Sequence, residues 1–516
     1  MKINARKAAV IPAIIGLGIL VRAYVVFVIK PISGDTAVFA LMAKHIFELK
    51  EFYIYMPMAH YAGAFYSYLS AALFALLGVS YSSFMIVGIL SSCAGLIIGC
   101  VISNKILNSS GVIISDILIA LPAFGMIYYS LYIGVNAENF LFIPLLLLMA
   151  IKINRREYAN RAVFMAATGL ISGLALWLTP AVIPVVLTIM TLFVIGNRGR
   201  LLTGAIALFL AGILIGYLPA VIYDFLHPGA AFFRMAGRVL DLNRSALLSP
   251  DPFGMICGKI FWRFSTIPGS LARIPRFTSE LISLPLTILL FVSIAVSFKG
   301  AARRFIKNKY VDDIGVIAIY VLWFIIFYTM LVGEGAGRFM APLAIVAPFL
   351  IGDTLSRIKK FKARHLLLTL MIAALIFCNM GTITRASSVF AAARYTKLTD
   401  WLIMNNVTRG YSDYDTAYIV QFESKEKVLV SPTLFDPTFC DRWPENTKMI
   451  RGADDVCYII DGRQYPRIIE PLEKNLSKFG QRYRKDIIGD FTVYRKISRT
   501  LEPKDVMNGI TARGKR

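Results

Sequence analysis

The sequence predicts an α-helical polytopic membrane protein with a small C-terminal α/β domain. Three observations carry this. Hydrophobic residues make up 57% of the 516 positions, mean hydropathy is +0.65, and the apolar residues gather in blocks near the ~18 residues that cross a bilayer core. Basic clusters sit at alternate ends of these blocks, the pattern of positive charge retained on cytoplasmic loops. From Arg385 onward the long apolar blocks stop and Asp, Lys, Pro and Tyr become frequent.

The net charge is +24, from 55 Lys and Arg against 31 Asp and Glu. No nucleic-acid motif accompanies it, so no nucleic-acid partner is expected. Loop retention and contact with anionic membrane lipids account for the charge. Four of the six cysteines, Cys93, Cys100, Cys257 and Cys378, lie in or near apolar blocks and read as small core residues. Cys440 and Cys457 lie in the polar tail and are disulfide candidates if that tail is extracytoplasmic. His45, His60, His227 and His365 show no metal-ligand spacing.

Taken in order, Lys2, Arg6 and Lys7 place the N-terminus inside, and the block Ala8 to Ile29 runs outward as a retained helix. It carries Arg22, which either snorkels to the interface or pairs with an acid such as Asp35. The first outer loop, 30–63, holds Asp35 and then an aromatic cluster of Phe52, Tyr53, Tyr55, His60, Tyr61, Tyr66 and Tyr68. Ala64 to Leu77 is short and rich in Tyr, Ser and Ala, and is expected at the outer surface or as a partly embedded segment. Blocks then run from Tyr81 to Ile102, Ile113 to Ile133, Phe140 to Ile151, Val163 to Leu178, Ala181 to Ile195 and Leu201 to Tyr223. A basic outer loop, 224–280, follows. The last blocks are Leu281 to Phe298, Ile314 to Val332, Phe339 to Leu355 and Leu366 to Ile383. The total is about eleven spans. This parity puts Asp35, Glu138, Glu334, Arg338 and the tail on one side, outside.

The domain division that follows is a transmembrane part, 1–384, and an extracytoplasmic α/β part, 385–516. Within the tail, Lys427 to Ser431, Asp455 to Asp461 and Phe491 to Tyr494 read as strands, and Pro466 to Phe479 as a helix.

Two roles fit Asp35. It follows Gly34 at the start of a helical run, which suits an N-cap, and an exposed carboxylate beside a membrane helix suits a general base on an acceptor hydroxyl. Glu138, just after Asn136, is either a favourable charge at a helix N-terminus or a second carboxylate for substrate or a divalent cation. Glu334 and Arg338 are four apart and suit an ion pair. Gly333, Gly335 and Gly337 surround them, and such a backbone admits a phosphate closely. The basic residues of 224–280, Arg234, Arg238, Arg244, Lys259, Arg263, Arg273 and Arg276, suit lipid headgroups or a lipid-linked phosphate. No P-loop, HExxH or GxSxG motif is present, so an enzyme here needs a substrate already activated in the membrane.

Arg22, Gly34-Asp35 with Ala43-Lys44-His45, Tyr61-Ala62-Gly63, Tyr68 to Ala71 and Leu76-Leu77-Gly78 together resemble the first outer loop of polytopic GT-C glycosyltransferases. The nearest branch is the protein O-mannosyltransferase and aminoarabinose-transferase group. Asn136-Ala137-Glu138, the Gly-rich run from Gly169 to Pro180, and Gly337-Arg338-Phe339-Met340-Ala341-Pro342 are similar to further motifs of that group. Two departures are visible: Thr36 stands where the mannosyltransferases have a second acid, and Thr179 where Lys precedes Pro. The resemblance implies a glycosyltransferase of the bacterial or archaeal plasma membrane. It would move a sugar from a polyprenyl-phosphate donor to an extracytoplasmic lipid, glycan or protein. It implies Asp35 as catalytic base and Arg338 as phosphate contact; Glu138, Glu334, Arg22, His60 and Tyr61 are the further candidate substrate contacts. A transporter or flippase of a lipid-linked glycan is the alternative from another class, although no related halves are visible.

Overall fold

The structure, a computed structural model, describes residues 5–122, 124–134, 136–196, 204–228, 280–308, 310–331, 340–358, 392–435, 441–451 and 455–495, with short pieces at 251, 254, 258, between 366 and 379, at 453 and at 503–507. The chain divides into two compact units. One comprises 1–24, 61–63 and 88–384; the other comprises 25–60, 64–87 and 385–516. The first outer loop therefore clusters largely with the C-terminal tail.

The first unit is helical. Among the described residues, Ala9–Ile29, Tyr81–Ile106, Ala137–Arg155 and Arg161–Leu178 are long and apolar enough to cross a membrane. Two further candidates are bent pairs, Ser109–Ala120 with Gly125–Leu131 at 69° and Gly204–Gly216 with Leu218–Leu226 at 55°. The apolar blocks 113–133 and 201–223 are thus broken rather than continuous. The second break falls at Tyr217, ahead of Pro219, whose ring cannot continue the ladder of the preceding turn. Pro180–Gly196, Asp313–Tyr328 and Ala341–Ser356 are shorter apolar helices. The block from Leu366 to Ile383 falls mostly outside the described residues.

The Gly-rich run has a packing reason. Helices Arg161–Leu178 and Gly204–Gly216 meet backbone to backbone. A Cβ on Gly169 would lie 2.1 Å from the Phe209 carbonyl oxygen, and one on Gly173 2.2 Å from that of Ile213. Gly212 and Gly216 return the same close approach to Ala166 and Leu170. Small residues four apart on both helices permit this crossing, as between helices in lipid.

The second unit begins where the first helix passes into a π turn, Val25–Ile29. Helix Gly34–Phe47, a two-stranded sheet of β1 (Tyr55–Met56) and β2 (Ala59–Gly63), and helix Phe65–Leu77 follow. At 13 residues the last is too short for an untilted span. Glycine is required at position 34: a Cβ there would lie 2.6 Å from Tyr414 Cδ1 and 2.8 Å from Asp415 Oδ1.

The tail is α/β. Its five strands are β3 (Arg409–Tyr411), β4 (Leu429–Ser431), β5 (Cys457–Asp461), β6 (Arg484–Ile488) and β7 (Phe491–Arg495), in the order β4-β3-β5-β7-β6. β3 pairs in parallel with β4 and β5, through crossover helices Tyr414–Glu423 and Pro444–Arg451; β7 is antiparallel to β5 and β6. The β6–β7 hairpin turns at Gly489, φ +61°, a conformation glycine adopts without strain. The core gathers Tyr411, Ile450, Tyr458, Ile460, Leu472, Leu476 and Tyr494. Leu472 and Leu476 come from helix Ile469–Lys478, one turn apart on its buried face. Cys457 is a buried free thiol on β5, and its candidate partner Cys440 lies outside the described residues.

Candidate active site

Asp35 occupies the first turn of helix Gly34–Phe47, but it is not the cap. Ser33 is, in extended conformation, with its hydroxyl accepting from the Thr36 amide at 3.3 Å. The amide of Gly34 is also taken, donating to Asp415 Oδ1 at 2.7 Å. The N-cap reading of Asp35 is therefore corrected: the capping bond to this helix is made by Ser33.

The groups around Asp35 come from the far end of the chain. The Tyr414 hydroxyl donates to Asp35 Oδ1 at 2.7 Å. Arg442 Nη2 lies 3.7 Å from the same oxygen, with the Arg442 side chain 8% and the Asp35 side chain 20% exposed. Arg442 is itself fixed. Its Nε donates to Tyr414 Oη at 2.9 Å, its Nη1 to the Pro57 carbonyl at 2.8 Å, and its backbone amide to Tyr418 Oη at 2.6 Å. Its guanidinium also stands 5.5 Å from the centre of the Tyr414 ring. Burial, then the Asp35 charge, raises the Tyr414 phenol above its ordinary range. It therefore stays a donor at neutral pH.

A second cluster lies at the other end of the same helix. Glu426 accepts from Lys44 Nζ and meets His45 Nε2 at 2.9 Å. His45 Nδ1 is 2.7 Å from Tyr53 Oη, and the Trp443 indole donates to that oxygen at 3.3 Å. Burial alone would push the Glu426 carboxyl up, but the hydrogen bonds from His45 and Lys44 outweigh it and hold the group at about 2. Helix Gly34–Phe47 is thus held by the tail at both ends.

Three of the residues expected to contact substrate are in the helical unit. Arg22 is 3% exposed, so it does not snorkel, and its partners are not acidic. Nε donates to Ser92 Oγ at 2.8 Å, Nη1 to the carbonyls of Gly18 and Ala120, and Nη2 to that of Ile119. The carbonyls of Ile119 and Ala120 end helix Ser109–Ala120, where a cation offsets the dipole. Burial of a guanidinium is thus balanced by a helix C-terminus instead of a carboxylate. Arg22 and Ser92 also line a cavity closed by Phe140, Pro144 and Pro348. Glu138 sits in the first turn of helix Ala137–Arg155, as read. Its Oε1 accepts from the Gly134 amide at 2.8 Å, while Oε2 is buried with no hydrogen-bond partner among the described residues. Asn136 is the capping residue by position, yet its side chain makes no capping bond. Tyr61 is 45% exposed.

His60 lies half-buried on β2, in the same unit as Asp35. Glu334 and Arg338, Gly333 to Gly337, and the seven basic residues of 224–280 lie outside the described residues. Among the described residues no three His, Cys, Asp or Glu side chains converge as a metal site.

Sequence reasoning missed Tyr414, Asp415, Glu426 and Arg442. One signal was present: Asp413-Tyr-Asp-Thr reads as a capped helix start, and Asp413 does accept from the Asp415 and Thr416 amides. Nothing local says that this helix packs on a segment some 380 positions earlier.

No protein-family model and no curated protein matches this chain. Solved structures do. The chain is 12% identical to ArnT from Cupriavidus metallidurans bound to undecaprenyl phosphate, over 94% of this chain and 97% of that one, with a TM-score of 0.56. It is 12% identical to the oligosaccharyltransferase AglB from Archaeoglobus fulgidus, solved with an inhibitory peptide and a dolichol-phosphate, over 95% of this chain and 74% of that one, with a TM-score of 0.52. At such identity the likeness is one of fold: the chain has the polytopic helical architecture with a C-terminal domain that the GT-C resemblance implied.

Proposed function

We propose that this chain is an integral membrane glycosyltransferase that moves a sugar from a polyprenyl phosphate to a hydroxyl-bearing acceptor outside the cell membrane. The observation that carries the reading is Asp35. On a fold shared with two transferases, one holding undecaprenyl phosphate and the other dolichol-phosphate, it is a partly exposed acid in the first turn of a helix that Ser33 caps, met by a tyrosine and an arginine from the tail.

The chemistry follows from the donor. A polyprenyl-phosphate sugar needs no further activation, because the phosphate leaves as a stable anion. Asp35 takes the proton of the acceptor hydroxyl, the acceptor oxygen forms the new bond to the anomeric carbon, and the bond from that carbon to the phosphate oxygen breaks. Cationic side chains offset the charge gathering on the departing phosphate. Arg338, on the strength of sequence resemblance, and some of the basic residues of 224–280, on the strength of their charge, are the proposed contacts. Glu138, with its unpartnered buried oxygen, is the proposed second acid, and Glu334, His60 and Tyr61 are proposed substrate contacts. The extracytoplasmic side of the loop and tail rests on charge asymmetry. The transporter reading is less well supported, since the two solved proteins described above are transferases.

The test is to incubate the purified full chain with a panel of isotopically labelled undecaprenyl-phosphate sugars and an envelope extract from cells lacking the protein. Transfer of label to a new envelope species, with release of undecaprenyl phosphate, is expected. Label that stays on the lipid carrier for every sugar overturns the proposal.

A further inference from the structure

Most of the tail's α/β unit faces its own core, but several of its side chains meet the first outer loop instead, Tyr414, Asp415, Glu426, Arg442 and Trp443 among them. Tyr414 and Asp415 open helix Tyr414–Glu423 and meet Asp35 and Gly34 in crossed order: Tyr414 to Asp35, Asp415 to the Gly34 amide. Arg442, from the segment just before helix Pro444–Arg451, closes the triangle by bonding Tyr414 and approaching Asp35. We infer that Tyr414 and Arg442 are positioning residues for Asp35: the tail sets the catalytic carboxylate. This rests on the glycosyltransferase reading of Asp35 given above.

The geometry has features that a purely structural pin does not need. Tyr414 Oη accepts from Arg442 Nε and donates to Asp35 Oδ1. The phenol is thus polarised by a cation and passes that polarisation to the carboxylate. Both contacts fall on Oδ1, which fixes the rotation of the carboxylate. Arg442 is more buried than the acid it approaches, its side chain 8% exposed against 20% for Asp35, so Asp35 remains accessible. The close approach also demands glycine at 34, where any Cβ would strike Tyr414. A side chain held in this way loses little freedom when substrate binds, the condition under which a general base is efficient.

Two readouts test it on the full chain in detergent micelles. The first needs no turnover: labelling of Asp35 by a carbodiimide, followed by mass spectrometry. Tyr414→Phe removes only the hydroxyl, whereas Arg442→Gln removes the charge together with the hydrogen bonds to Tyr414 and Pro57; each is expected to raise the Asp35 labelling rate at least threefold. The second is transfer from the undecaprenyl-phosphate sugar. Tyr414→Phe is expected to lower kcat about tenfold with the donor KM within twofold, and Arg442→Lys to recover activity that Arg442→Gln loses. Unchanged labelling in both variants overturns the inference. So does unchanged kcat in Tyr414→Phe while Asp35→Asn is inactive, and that pair of results leaves the glycosyltransferase reading standing. Full turnover by Asp35→Asn removes the reading itself, and with it any catalytic meaning of the clamp. Because Tyr414→Phe keeps the ring and its packing, a misfolded Arg442→Gln does not block the test.

Discussion

Replacing Glu426 by Gln tests how the tail is fastened to the helix that carries Asp35. The Glu426 side chain is 18% exposed and meets Lys44 and His45. Its carboxyl is held at about 2, from an ordinary 4.5. A tenfold change in proton affinity is worth ~1.4 kcal/mol, so the ionised group contributes about 3 kcal/mol at neutral pH. The sign follows from the direction. A carboxyl depressed in the folded state stabilises above its unfolded value, and loses that stabilisation as pH falls through its folded value. Guanidinium unfolding followed by the fluorescence of Trp401 and Trp443 reads the unit. Glu426→Gln is expected to lower stability by about 3 kcal/mol at pH 7, with the difference from the native protein shrinking steadily between pH 4.5 and pH 2. A difference below about 0.5 kcal/mol at pH 7, or one that is the same at pH 3 as at pH 7, refutes the reasoning.

Asp413 titrates the other way. Burial, then the neighbouring Asp415 charge, pushes its carboxyl up to about 6, so its charge is unfavourable once pH rises above that value. Asp413→Asn keeps the capping oxygen and is expected to unfold at higher denaturant than the native protein at pH 7, an advantage that disappears near pH 4. Gly34→Ala forces a Cβ to 2.6 Å from the Tyr414 ring; a loss of about 1–3 kcal/mol and faster amide exchange across Tyr414–Glu423 are expected. Gly173→Leu drives a side chain into the Ile213 carbonyl. Proteolysis within the helices Arg161–Leu178 and Gly204–Gly216 is then expected to accelerate in micelles, with Asp35 labelling unchanged.

The sequence makes the helical unit legible because its signals are local. Apolar blocks of span length and alternating basic clusters mark the helices, whereas the Gly169–Gly173 crossing, quoted from the sequence only as a resemblance, became visible in the structure. The breaks in 113–133 and 201–223 were invisible to a hydropathy pattern, which scores composition and not the bend that a proline such as Pro219 introduces. In the tail, β5 and β7 were legible as short apolar runs, whereas β3, Arg-Gly-Tyr, is held in the sheet by its two neighbours and carries no pattern of its own. The site divides in the same way. Asp35 stands out as an acid after a span. Its cap was misassigned because Ser33 and Asp35 both suit the position, and only backbone geometry separates them. Arg22 was expected to snorkel or to pair with an acid, and a helix end satisfied it instead. Tyr414 and Arg442 escaped because contacts across some 380 positions leave no trace in a single sequence.

The central claim is that Asp35 carries the chemistry. Its most direct test is the rate of sugar transfer from undecaprenyl-phosphate sugar by Asp35→Asn, measured beside the native chain, with folding confirmed by an unchanged unfolding midpoint. Asparagine is isosteric and cannot accept the acceptor's proton. The expected result is a loss of turnover of at least about a hundredfold, with the donor still bound. Turnover within twofold of the native chain, from a correctly folded variant, contradicts the account.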